Sequence, residues 1–106
     1  MNTRFLITNL QHKIVKEYGT LHLLKMNKIV IANFISGKFN FKNSKVLFNI
    51  PIEFIPLEVV EVPVTGLNNP LIKGAINITK RGEIIFYTIL ESSDTIRFQC
   101  SWESKE

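Results

Sequence analysis

The chain has 106 residues and is 45% hydrophobic, which suits one folded domain with its own core and leaves little room for a second. Its net charge of +4 and pI of about 9.4 are mildly basic, and the lysines are scattered, so composition argues for a solvated surface before a nucleic-acid interface. The single cysteine, Cys100, excludes an internal disulfide and a paired-cysteine zinc site, and no apolar run reaches the ~18 residues of a membrane-spanning helix.

In chain order the pattern is almost entirely β. Residues 4–10, RFLITNL, form a short apolar strand, and the following LQHKIVKEYG predicts one or two helical turns, with Leu10, Ile14 and Val15 near one face and Gly19 as the stop. Residues 1–19 thus read as a lead-in, and residues 20–103 as the body of a single domain. A strand over 20–25 and its partner over 29–35 flank Met26-Asn27-Lys28, where asparagine suits a tight turn because it tolerates a left-handed backbone. KFNFK alternates strictly, with Phe39 and Phe41 inward and Lys38 and Lys42 outward, and VLFNI follows a second turn.

Three prolines then interrupt strand-like sequence. Proline lacks the amide hydrogen of a ladder and forces the residue before it to be extended. Pro51 therefore stops one strand, Pro56 sits in the connection, and Pro63 marks residues 57–64 as an edge strand. LIKGAINIT and IIFYTIL form a hairpin around Gly82, and TIRFQCSW is the last strand, with Ile96, Phe98, Cys100 and Trp102 on one face. About eight short antiparallel strands predict an all-β fold, a jelly-roll-like or Greek-key sandwich or barrel. IIFYTIL and KIVIANFI are apolar on both faces, which predicts a neighbouring subunit over the second face, with coverage by a loop as the alternative.

No catalytic or nucleotide-binding motif is present, and neither the glutamates nor the two histidines, His12 and His22, are spaced for acid–base or metal chemistry. The expectation is a non-enzyme with no cofactor and no metal. The residues with the most binding potential are Trp102, Arg97, Asp94, Tyr87 and His22. Trp102 offers either a face for pyranose stacking or core packing, and its phase with Phe98 favours packing. Arg97 and Asp94 lie on the polar face and read as hydroxyl-binding groups or a surface pair. Tyr87 reads as a stacking ring or an interface residue, and His22 as a polar contact or an exposed strand position.

The order of the pieces carries a resemblance. The Met26–Val30 hairpin is followed by Ile50-Pro51, Phe54-Ile55-Pro56, Val62-Pro63-Val64, and the Ile78–Ile84 hairpin around Gly82. This succession resembles the C-terminal head of receptor-binding and baseplate tail proteins of phages and prophages of Gram-positive bacteria, over roughly residues 21–102, with Asn27 standing where that pattern commonly has glycine. The resemblance implies a homotrimer at the tail tip or baseplate of a virion. It further implies contact with other tail proteins and recognition of a host cell-wall polysaccharide without membrane insertion. Two alternatives stand beside it: a structural baseplate domain without a ligand, and a small barrel that binds single-stranded nucleic acid.

Overall fold

A computed structural model describes residues 9–36, 45–66, 72–88 and 95–106. Within them run eight strands: β1 (Asn9–Lys16), β2 (Gly19–Met26), β3 (Ile29–Ser36), β4 (Lys45–Asn49), β5 (Val60–Gly66), β6 (Ile72–Ile78), β7 (Glu83–Thr88) and β8 (Ile96–Glu103). They form one antiparallel sheet in the order β1-β2-β3-β8-β5-β6-β7-β4, curled into a half-barrel. The all-β expectation holds. β4 returns beside β7, which gives β5-β6-β7-β4 the order of a Greek key. The expected strand at 4–10 lies largely outside the described residues, as do the KFNFK strand and the last two residues of IIFYTIL.

Period-two alternation sets the core. Leu21 and Leu23 of β2, Val30, Ala32 and Phe34 of β3, and Ile96, Phe98 and Trp102 of β8 all face inward and are buried. From the other half of the sheet come Val62 and Val64, Ile76 and Ile78, Ile84 and Phe86, and Leu47 and Phe48. Leu47 and Phe48 are adjacent yet both buried, because the β4–β7 register shifts between Val46 and Phe48. Aromatic rings bridge the halves: Phe34 stacks on Phe98 at 5.3 Å and meets Phe48 edge-on at 5.5 Å. The Tyr18 hydroxyl donates to the Leu47 carbonyl at this bulge, tying the β1–β2 turn to the far edge of the sheet.

Two expectations need correction. The helical turns over LQHKIVK are a strand, β1: Leu10 and Ile14 are half-buried, His12 between them is exposed, and full pairing with β2 outweighs a short local helix. The edge strand at 57–64 is also not the edge of the sheet. β5 lies fifth in the order, but Val60 to Val64 pair only with β6, whereas β8 reaches only Thr65 and Gly66. Pro63 therefore occupies the part of an internal strand that has a ladder on one side alone, where a missing amide hydrogen costs little.

The other prolines shape the β4–β5 connection. Pro51 precedes a single 3-10 turn, Ile52–Phe54, and its carbonyl accepts the Phe54 amide at 2.9 Å. This segment is stitched to the end of β8: the Leu57 amide donates to Glu103, the Lys105 amide to Ile55, and Pro56 bridges Ser104. The Asn27 turn forms as expected with φ 56°, and the β6–β7 hairpin places Gly82 at φ 84°.

Candidate functional site

The outer face of the sheet is where exposed polar chemistry collects. Arg97 projects outward from β8, between Ile35 of β3 and Thr65 of β5, its cross-strand partners. An open groove of about 380 Å³ surrounds it, walled by Asn33, Ile35, Pro63, Thr65 and Gln99. Its position follows from the divergence of β5 and β8 beyond Thr65, which leaves space between Pro63 and Gln99. A second open groove of about 490 Å³ lies over β1, β2 and β3, lined by Gln11, Lys13, His22, Leu24, Ile31 and Asn33 among others.

The five sequence candidates separate. Arg97 and His22 are exposed on the same outer face, one in each groove. Tyr87 is 36% exposed on β7, in the other half of the sheet, where it borders a small hollow with Glu61, Ala75 and Asn77. Asp94 lies outside the described residues. Trp102 is corrected as a stacking platform: it is 6% exposed, and its indole N–H donates to the Phe54 carbonyl at 2.8 Å. Its inward phase and the need to satisfy a buried donor place it in the core.

Asn33, Gln99, Thr65 and Lys13 were missed. A signal existed for Asn33, which interrupts the otherwise aliphatic outward set Ile29, Ile31 and Ile35. Gln99 shares the outward phase of Arg97.

The grooves are equipped to bind. A guanidinium, two primary amides and a hydroxyl supply donors and acceptors in several directions. Among the described residues neither lining includes a carboxylate, and Arg97 makes no ion pair; the described ion pairs, Lys80–Glu58 and Arg81–Glu83, lie elsewhere. Cys100 faces inward, and burial pushes its thiol up to about 12, which keeps it protonated and a poor nucleophile at neutral pH. Among the described residues no group of three or more His, Cys, Asp or Glu side chains gathers to hold a metal ion. The sequence matches no protein-family model and no curated protein.

Proposed function

We propose that this chain is a receptor-binding head domain of a phage tail that adheres, without catalysis, to a cell-wall saccharide of a Gram-positive host. The observation that carries the reading is the groove around Arg97, where a guanidinium, the amides of Asn33 and Gln99 and the Thr65 hydroxyl stand together on an exposed sheet face. Such groups recognise hydroxyl-rich ligands by hydrogen bonding. The all-β fold and the order of the proline-bearing motifs support the same reading.

The reading places the chain at the tail tip or baseplate of a virion, as a homotrimer in contact with other tail proteins. Support for self-association comes from aliphatic side chains exposed around Glu103. Ile29 is its cross-strand partner and is 48% exposed, Met26 pairs with Ile29, and Leu57 is bonded through its amide to the Glu103 carbonyl. A trimer turns shallow single-site binding into strong adhesion through effective concentration.

The test is to measure mass by light scattering and then incubate labelled protein with whole cells of a panel of Gram-positive strains. Decoration of particular strains by the wild type, lost in a folded Arg97→Ala variant, supports the reading. Failure to decorate any strain removes it and leaves a structural domain without a ligand.

A further inference from the structure

Four polar side chains stand in one row across the outer face. Pairing sets Lys13 of β1 opposite His22 of β2, His22 opposite Asn33 of β3, and Asn33 opposite Gln99 of β8. Residues directly opposite in an antiparallel ladder share a face, and all four are exposed. With neighbouring strands ~4.8 Å apart, the row runs roughly 14 Å at right angles to the strands. It crosses both grooves: Lys13, His22 and Asn33 line one, Asn33 and Gln99 line the other, and Asn33 belongs to both. Aliphatic side chains flank it, Leu24 opposite Ile31 on one side and Ile35 on the other. A cation stands toward each end, Lys13 on β1 and Arg97 on β8, with no carboxylate among the described residues of either lining.

We infer that the two grooves form one elongated site that takes a linear, negatively charged oligosaccharide laid across the strands, with its anionic groups toward Lys13 and Arg97. This rests on the saccharide reading above and adds the direction, length and charge of the ligand. Each part has a physical source. The row's direction sets the ligand's direction, because hydrogen-bonding groups recur once per strand along it. The two cations, with no carboxylate among the described residues of either lining, favour anions at both ends. The same length and charge would suit a single-stranded nucleic acid, but such ligands are held by exposed rings on which bases stack. Phe34 and Phe98 at the Arg97 groove are 1% and 4% exposed, which leaves His22 as the one exposed ring in the row, beside the amides of Asn33 and Gln99.

The experiment uses wall polysaccharide purified from a strain that the protein decorates, cut to graded lengths and titrated calorimetrically against the full chain. Affinity is expected to rise with fragment length until the row is spanned. Lys13→Ala and Arg97→Ala should each weaken a spanning fragment about tenfold, the loss of one charge-assisted hydrogen bond. A fragment too short to span should lose its dependence on one of the two cations. Both side chains are exposed, so both variants should keep the wild-type circular dichroism and unfolding midpoint. Removing carboxylates from the polysaccharide by reduction, or phosphates by hydrolysis, tells which anion is read. If cells are decorated but affinity ignores both length and Lys13→Ala, the elongated site is wrong and the saccharide reading stands. If neither treatment weakens binding, the assigned charge is wrong. If no strain is decorated, or oligothymidylate binds more tightly than the polysaccharide, the saccharide reading falls and this inference with it.

Discussion

The indole N–H of Trp102 donates to the main-chain carbonyl of Phe54 at 2.8 Å, joining residues 48 positions apart. The bond locks the end of β8 onto the 3-10 turn between β4 and β5, and Phe54 is itself buried beneath the exposed ring of His12 at 6.0 Å. Trp102→Phe should keep most of the packing and leave that carbonyl without its donor, at a cost of about 1–2 kcal/mol. Trp102→Ala should cost about 3–5 kcal/mol. Urea denaturation measures both, and cell adhesion per folded molecule should not change for Trp102→Phe; a loss there would return the residue to the binding site.

Ser36 is the buried polar side chain that ends β3. Its hydroxyl oxygen accepts the Ile96 amide at 2.9 Å, holding the start of β8 beside β3. Ser36→Ala should leave that amide unsatisfied and cost about 1–3 kcal/mol. Ser36→Thr retains an acceptor, and a Thr variant as unstable as the Ala variant would point to packing instead.

Gly19 begins β2 with φ 156°, and a Cβ there would sit 2.7 Å from the Phe34 ring and 2.8 Å from the Ile35 carbonyl oxygen. Neither can yield easily, since Phe34 is packed between Phe48 and Phe98. Gly19→Ala should therefore destabilise by about 1–3 kcal/mol, the usual cost of overpacking. A thermal midpoint equal to wild type would show that the β1–β2 turn can move away.

Alkaline pH should weaken the fold. Burial raises the thiol of Cys100 from 9.0 to about 12, and burial also raises the Tyr18 phenol above 10.0. In the unfolded chain both groups ionise at their ordinary values, while the folded chain holds the protons longer. Their stabilising contribution is thus fully present below pH 9 and is lost as pH rises from 9 toward 12, with Tyr18 joining above 10. Urea midpoints followed upward in pH should fall in the wild type and fall less steeply in Cys100→Ala. Equal slopes would mean that the thiol is not the cause.

On the outer face, Arg97→Ala and Tyr87→Ala should part company. Both side chains are exposed, so each should change stability by no more than about 0.5 kcal/mol. Arg97 lies in the groove with Asn33 and Gln99, whereas Tyr87 lies on β7 across the sheet. Adhesion should be lost with Arg97→Ala and kept with Tyr87→Ala, and the reverse result would move the site to the β6–β7 side.

Much of this was written locally. Alternation alone put Ile96, Phe98 and Trp102 on one face of β8, because a strand has only two sides. Asn27 and Gly82 marked their turns because few residues accept a positive φ. What alternation cannot say is which strand lies beside which. β8 pairs with β3 and touches β5 although β6 and β7 lie between β5 and β8 along the chain, and that pairing is decided by how two apolar faces close on one core. The helical reading of β1 failed for the same reason: a short segment's own preference is weak, and an eight-residue ladder with β2 overrides it. Trp102 could be assigned to a face but not to Phe54, and Pro63 to a strand but not to the half-paired stretch of an internal one. Likewise His22 stood out in sequence as a lone polar position, and only the register of four strands sets it in a row with Lys13, Asn33 and Gln99. β1 apart, the described strands, their turns and their inward faces could be read locally, since these depend on neighbours along the chain. Which residues share a groove followed only from the pairing of strands, because a surface made of four strands exists only once distant hydrogen bonds have fixed their order.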